Sequence, residues 1–177
     1  MENKKKIEFL PICIAVMTVS DTRSLADDRS GDALVERLET AGHVLADRAI
    51  IKDEVDLIVD KLREWIDNRE IDAVITTGGT GVTGRDVTPE ALARVQEKDI
   101  PGFGELFRWI SYQKIKTSTI QSRACAGVAN STYIFVLPGS TGACKDGWDE
   151  ILKDQLDIRH KPCNLVELMP RLNEHKV

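Results

Sequence analysis

Two periodicities of apolar and polar residues divide the chain into predicted strands and helices. Residues 11–20 form an almost continuous apolar run with several β-branched side chains, a pattern typical of a strand covered on both faces. Residues 44–51 and 71–77 predict two further strands, and residues 131–137 predict a strand that ends before Pro138. The intervals between these strands are long enough to hold helices.

The intervals between the predicted strands carry the spacing of amphipathic helices. In the second interval, apolar residues recur at positions i, i+3, i+4 and i+7, as at Val55, Ile58, Val59, Leu62 and Ile66. Residues that could cap a helix precede four of the helical patterns: Ser30, Asp53, Thr88 and Ser140. After residues 101–102, Pro-Gly, the pattern becomes less regular.

Strands that alternate with helices predict the fold class. We expect an α/β domain with three layers, α/β/α, and a mostly parallel central sheet with right-handed crossovers. Residues 9–177 are predicted to form this single domain, and residues 1–8 a flexible N-terminal tail. Ligands of such sheets bind beyond the carboxyl ends of the strands, so the residues that follow each strand are expected to line one cleft.

Composition and charge exclude several classes of function. The formal net charge of −5 argues against nucleic acid as a partner. No apolar run approaches the ~20 residues of a membrane span, and no signal-peptide cleavage site follows the first apolar run. A cysteine pair with metal or redox spacing is missing, which favours reduced thiols in a cytoplasmic protein. The four cysteines are Cys13, Cys125, Cys144 and Cys163.

The turn after the third predicted strand carries the strongest sign of chemistry. Its glycines, Gly78, Gly79 and Gly81, would expose backbone N–H groups to a phosphate without an obstructing Cβ. Asp86 could hold a divalent cation on the same phosphates. The spacing up to Gly84 also fits a dinucleotide-binding loop, but no ribose-binding acid follows about 20 residues later, and the lysine of a Walker loop is missing. A tight turn without a ligand is the structural alternative.

Other polar residues each have a functional and a structural interpretation. Asp86 could bond its own turn, Asp53 could cap a helix, and Ser140 could cap a helix or favour an anion there. Arg123, after Ser122, could bind phosphate or be solvated. The aromatic residues between positions 103 and 112 could line the pocket of a flat heterocycle, form a subunit interface or belong to a core helix: Phe103, Phe107, Trp109 and Tyr112.

Two adjacent segments carry a family resemblance, Thr77–Gly81 and Arg85–Ala91. They resemble the signature of the molybdopterin-binding family that includes MogA, MoaB and a domain of gephyrin. Further similar segments, some of them specific to the MoaB branch, extend the resemblance over nearly all of residues 11–165. They are Ser20–Arg23, Lys52–Glu54, Pro101–Glu105, Thr117–Ala124, Ala126–Asn130, Leu137–Ser140 and Lys161–Asn164.

The resemblance implies a function in molybdenum cofactor biosynthesis, in which AMP is transferred from ATP to the terminal phosphate of molybdopterin and pyrophosphate is released. It implies Mg²⁺ with ATP as a substrate, no tightly bound cofactor, and a homo-oligomer, either a trimer or a hexamer. Asp53 and Asp86 correspond to the catalytic and metal-holding aspartates. The expected substrate-binding residues are Ser20, Gly78, Gly79, Thr80, Gly81, Ser122, Arg123, Pro138, Gly139 and Ser140.

Two other functions remain open at this point. One is a non-catalytic MoaB-type protein that binds the pterin or acts as a scaffold; the other is a nicotinamide-nucleotide oxidoreductase that uses the glycine pattern. Paired carboxylates oppose anion binding unless a metal intervenes, so they favour catalysis over simple binding. The missing ribose acid argues against the oxidoreductase.

Overall fold

The structure is a computed structural model that describes residues 7–176. Its strands are β1 (Cys13–Val19), β2 (Val44–Ile51), β3 (Ala73–Thr77), β4 (Lys98–Asp99), β5 (Cys125–Ala129) and β6 (Thr132–Leu137). Its α-helices are α1 (Arg29–Thr40), α2 (Val55–Asp67), α3 (Thr88–Ala93), α4 (Pro101–Ile115), α5 (Thr141–Gly147) and α6 (Lys153–Gln155), and a π-helical turn (Trp148–Leu152) joins the last two. Shorter 3₁₀ helices span Lys116–Gln121, Val166–Arg171 and Glu174–Lys176.

The sheet of the described residues has the strand order β2-β1-β3-β6-β5-β4. The four strands β2, β1, β3 and β6 are parallel to one another. Strand β5 is antiparallel to β6, and β4 is antiparallel to β5. Helices cover both faces, so the prediction of a three-layer α/β/α domain with a mostly parallel sheet is confirmed. Residues 1–6 of the predicted tail lie outside the described residues, and the division into a tail and a domain stays a prediction.

Side chains of each central strand point alternately into two apolar cores. In β1, Ile14 and Val16 pack in the core that contains Trp148, whereas Ala15 and Met17 pack in the core that contains Trp65. All four of these strand residues are fully buried. Burial on both faces explains why the sequence of this strand is almost continuously apolar instead of alternating.

The predicted caps of the first two helices were wrong. Helix α1 is capped by Asp28, whose carboxylate accepts a hydrogen bond from the Gly31 amide, while Ser30 lies inside the first turn. Helix α2 begins after Glu54, and no side chain caps it. The N-cap position, Glu54, is therefore one residue beyond Asp53, which leaves the carboxylate of Asp53 without a capping role.

The caps of the two later helices differ from each other. Thr88 is the first residue of α3 and does not cap it; its hydroxyl instead donates to the Gly78 carbonyl oxygen at 2.8 Å. Ser140 caps α5 as predicted, because its side chain accepts a hydrogen bond from the Ala143 amide. Tertiary contacts with the glycine turn thus decide the start of α3.

The stretch after residues 101–102 is far more regular than its pattern indicates. It holds the fifteen residues of α4, a 3₁₀ helix and strand β5. Helix α4 buries only four residues (Phe103, Gly104, Phe107 and Ser111) and exposes Trp109, so its apolar stripe is narrow and interrupted. Strand β5 is short and built mostly of small residues, which weakens its signal.

None of the helices within residues 7–176 combines the length and the apolar character that a membrane crossing requires.

Candidate functional site

A cavity of about 540 Å³ opens at the carboxyl ends of the parallel strands, where β1, β3 and β6 lie side by side. Of the substrate-binding and catalytic residues predicted from the sequence, all but Arg123 line it. They are Ser20, Asp53, Gly78, Gly79, Thr80, Gly81, Asp86, Ser122, Pro138, Gly139 and Ser140. The topology thus brings together segments that are as many as 120 residues apart, as the strand pattern predicts.

The glycine turn after β3 requires glycine at two positions. Gly78 and Gly79 adopt φ angles of 105° and 63°, which side-chain-bearing residues rarely do. A Cβ at Gly78 would lie 2.2 Å from the carbonyl oxygen of Val19, and one at Gly79 would lie 2.3 Å from the hydroxyl of Thr88. The turn is therefore pressed between the end of β1 and the start of α3.

The backbone amides of the turn are not equally available to a ligand. The Gly78 amide donates to the Leu137 carbonyl oxygen at 3.0 Å, and the Gly81 amide is directed to the carboxylate of Asp86. For the amides of Gly79 and Thr80, the described part of the chain supplies no acceptor. Within this turn, the donors that are free for a phosphate are therefore those of Gly79 and Thr80.

Asp86 makes the turn contacts that the structural interpretation predicts. One carboxylate oxygen accepts hydrogen bonds from the amide and the hydroxyl of Thr83, at 2.9 and 2.7 Å. Burial acts to raise the pKa of the Asp86 carboxyl, but the hydrogen bonds from Thr83 and Gly81 and the charge of Arg123 together outweigh it, and the net shift of the pKa is downward. Asp86 is therefore an anion at neutral pH, with its carboxylate held at the cavity wall.

Asp53 has a different electrostatic environment. Burial raises the pKa of its carboxyl, and the negative charges of Asp21 and, more weakly, Asp86 add to this shift. Its own amide donates to Asp21 at 3.2 Å. Like charges that raise the pKa of a carboxyl are relieved when a cation binds between them, and carboxylate oxygens suit a hard divalent cation.

The donor set for a divalent cation is small. Across residues 7–176, no group of three or more His, Cys, Asp or Glu side chains could by itself hold a metal ion. Asp53 and Asp86 supply two carboxylates in one cavity, so the remaining ligands would have to be phosphate oxygens or water. This arrangement fits a cation that enters with a phosphate-bearing substrate.

An ion pair beside Asp53 has no role in the sequence interpretation. A terminal nitrogen of Arg85 donates to both carboxylate oxygens of Asp21, at 2.8 Å each. Hydrogen bonds from Arg85 lower the pKa of Asp21. Both residues belong to segments quoted for the family resemblance, which is the signal that could have found them.

Arg23 also lines the cavity, and sequence reasoning gave it no individual role. It is the only cationic side chain among the described residues that line this cavity. Its guanidinium donates to the Gly139 carbonyl oxygen at 3.1 Å and to the hydroxyl of Ser30. The fully buried Asp28 lies 3.6 Å from the guanidinium and also pairs with Arg48 at 2.9 Å. This ion network around the buried Asp28 carboxylate connects the segment after β1 to the turn after β6.

Arg123, which the sequence suggested as a phosphate-binding residue, directs its side chain away from the cavity. Its guanidinium donates to the carbonyl oxygens of Gly81 and Asp86, both at 2.7 Å, and pairs with Glu90. It does not line the cavity. The residue lies behind the glycine turn and contacts protein atoms.

Helix α4 and the 3₁₀ helix after it supply the far wall of the cavity, which pattern analysis missed. Their contribution mixes apolar and hydroxyl-bearing side chains, namely Phe107, Ser111, Ile115, Ser118, Thr119 and Gln121. The aromatic group between residues 103 and 112 is divided by the helix: Phe103 and Phe107 are buried, while Trp109 and Tyr112 are 64% and 47% exposed. The core and pocket interpretations thus both describe part of this group.

Comparison with known proteins gives a consistent result. Residues 15–158 match the family described as "Probable molybdopterin binding domain". The chain is 47% identical to molybdenum cofactor biosynthesis protein B of Escherichia coli K12 over 157 residues, which covers 89% of this chain and 92% of that protein. It is 41% identical to the protein of the same name from Staphylococcus epidermidis, covering 82% and 85% of the two chains.

Solved structures give the same picture. A crystal structure of a molybdenum cofactor biosynthesis protein B superposes with a TM-score of 0.84 at 35% identity, covering 93% of this chain and 98% of that one. The tungsten cofactor synthesizing protein MoaB from Pyrococcus furiosus superposes with a TM-score of 0.73 at 33% identity, covering 81% and 92%.

Proposed function

Because the chain belongs to the molybdopterin-binding MoaB family of molybdenum cofactor biosynthesis, we propose that it transfers the adenylyl group of ATP to the terminal phosphate of molybdopterin. The observation that carries this proposal is one cavity that combines two free backbone amides with two carboxylates, on Asp53 and Asp86. Amides and carboxylates together suit a phosphate chain that arrives with a divalent cation.

The proposed reaction needs no nucleophile from the protein. An oxygen of the molybdopterin phosphate attacks the α-phosphorus of ATP, an O–P bond forms, and the bond from the α-phosphorus to the bridging oxygen breaks. The electron pair of that bond leaves with pyrophosphate, which is already a good leaving group. The protein is left with alignment by the amides of Gly79 and Thr80, and with charge stabilisation by the positive charge that Arg23 places at the cavity wall.

Mg²⁺ is part of the proposal as the partner of ATP. Asp53 and Asp86 are the residues that would hold it, and its chemical contribution would be to neutralise charge on the phosphates. No tightly bound cofactor is proposed. A cytoplasmic location belongs to the same proposal, since the cysteines at positions 13, 125, 144 and 163 are all unpaired thiols.

The experiment that tests the function is a pyrophosphate assay with purified protein. We expect pyrophosphate only when ATP, Mg²⁺ and molybdopterin are all present, and we expect nucleotide affinity to fall sharply when the metal is chelated. Tight pterin binding that is indifferent to chelator, with no pyrophosphate formed, would instead support a non-catalytic pterin-binding or scaffold protein.

Asp53→Asn is expected to reduce turnover and at the same time to stabilise the fold at neutral pH. The folded-state pKa of Asp53 is raised, so ionising it costs stability at pH values above that pKa, and the neutral asparagine avoids this cost. The difference shrinks as the pH falls towards about 4, the ordinary pKa of an aspartate, because the carboxyl becomes increasingly protonated in both states. Thermal unfolding of both proteins between pH 4 and pH 8 measures this. A variant less stable than the wild type at pH 8 would contradict it.

We also propose that the protein is a homo-oligomer, a trimer or a hexamer. Helix α4 and the 3₁₀ helix that follows it expose five large apolar side chains: Leu106, Trp109, Tyr112, Ile115 and Ile120. Exposed apolar groups of this size are common in subunit interfaces. Light scattering at micromolar concentration is expected to give three or six times the mass of 19.7 kDa, and a monomeric mass would overturn the proposal.

A further inference from the structure

The loop that carries Asp86 has little packing of its own. Between Gly81 and Asp86, Val82 is 69% exposed, and a Cβ at Gly84 would meet no atom within 4 Å. Two glycines in six residues also give this segment a large conformational freedom when it is not held. The hydrogen bonds from Thr83 and Gly81 to the Asp86 carboxylate lie within the loop, so contacts from outside must fix where the loop itself lies.

Arg123 supplies such contacts at both ends of the loop. Its amide donates to the Thr80 carbonyl oxygen at 3.0 Å, and its Nε donates to the Gly81 carbonyl oxygen at 2.7 Å. One terminal nitrogen donates to the Asp86 carbonyl oxygen at 2.7 Å. The other terminal nitrogen pairs with Glu90 on α3, so each nitrogen of the guanidinium has a protein partner.

We propose that Arg123 is a positioning residue that joins the two ends of the loop 81–86 and so keeps the carboxylate of Asp86 in the cavity. The effect of Arg123 on catalysis rests on the proposed function, whereas its effect on the position of the loop does not. The planar guanidinium suits this task because its donors point in fixed directions towards several acceptors at once. The compact ammonium of lysine cannot reach the carbonyl oxygens of Gly81 and Asp86 and the carboxylate of Glu90 with the same geometry.

The same contacts argue against a direct phosphate contact by Arg123. To bind a phosphate in the cavity, the guanidinium would have to leave two carbonyl oxygens and the carboxylate of Glu90. The carbonyl oxygens would lose their donors, and Glu90 would lose the partner that lowers its pKa. Arg123 therefore acts on the substrate through the loop.

Hydrogen exchange tests the positioning role without any ligand. Arg123→Lys is expected to raise the rate of amide hydrogen exchange in residues 81–86 at least tenfold. The exchange rates of the sheet residues are expected to stay unchanged. Arg37→Lys is the matched control, because it removes a similar bidentate contact, from Arg37 to Asp149, on another face of the protein. Unchanged exchange in the loop of Arg123→Lys would overturn the proposal whether or not the protein proves to be an adenylyltransferase.

Nucleotide binding at several Mg²⁺ concentrations separates positioning from direct contact. In Arg123→Lys, we expect the Mg²⁺ concentration for half-maximal ATP binding to rise about tenfold, while residual ATP binding in chelator stays equal to that of the wild type. An equal loss of ATP affinity with and without metal would make Arg123 a phosphate ligand and overturn the proposal. If wild-type protein binds no ATP at all, the proposed function fails, and the exchange experiment alone decides the role of Arg123.

Discussion

Asp86→Asn is expected to reduce adenylyl transfer by about 100-fold or more, the usual consequence of losing a main charge-stabilising group. Asparagine keeps the shape of the side chain and an oxygen that can accept from Thr83, so the turn is preserved. It removes the negative charge that would hold Mg²⁺ at the phosphates. Turnover of the variant with ATP, Mg²⁺ and molybdopterin measures the loss.

The melting temperature of Asp86→Asn distinguishes a lost function from a lost fold. A decrease of only a few degrees is expected, because the charged hydrogen bonds from Thr83 are exchanged for neutral ones in a chain of 177 residues. Normal turnover in a folded variant would remove Asp86 from the metal site. It would leave the turn contacts with Thr83 as the whole explanation of this residue.

Gly81→Val is expected to abolish most metal-dependent nucleotide binding, with a loss of affinity greater than tenfold. A Cβ at Gly81 would lie 2.6 Å from a carboxylate oxygen of Asp86 and 3.0 Å from its Cγ. The branched side chain must therefore push the Asp86 carboxylate away from Thr83, and it also narrows the approach to the turn. Equilibrium binding of ATP in the presence of Mg²⁺ measures the effect.

The same loop offers a matched control for Gly81→Val. At Gly84, three residues later, a Cβ meets no atom within 4 Å, so Gly84→Val adds the same side chain without a collision. We expect Gly84→Val to bind ATP nearly as well as the wild type. Equal affinities for both variants would mean that the turn at Gly81 does not contact the nucleotide.

The chemistry of the candidate site could be predicted only in part from the sequence. Asp53 and Asp86 were predicted together, and the structure brings them to one cavity. Arg123 was predicted as a substrate-binding residue, whereas its guanidinium contacts the loop 81–86 and does not line the cavity. A sequence motif identifies which residues are near a site, whereas the direction of a long side chain depends on acceptors supplied by distant segments.

Two further features of the site have no local signal. Arg23 enters the cavity because the buried Asp28 and the Gly139 carbonyl oxygen hold its guanidinium. The far wall comes from α4, which shows a narrow apolar stripe because one of its faces is exposed. In both cases, contacts with distant parts of the chain determine which side chains line the cavity. A short window of sequence does not contain those contacts.

The sequence by itself determined that strands and helices alternate to give a mostly parallel sheet, and it predicted the edge of that sheet at which ligands would bind. Strands buried on both faces must be apolar throughout, and the glycine turn at 78–79 needs residues without a Cβ. Both features can therefore be recognised from the residue types in a short segment of sequence. Only the tertiary structure decided which helix caps form, which amides of the turn stay free and where each arginine points. Those outcomes depend on hydrogen-bond partners that folding brings together from distant parts of the chain. The residues next to each arginine or helix end in the sequence do not identify those partners.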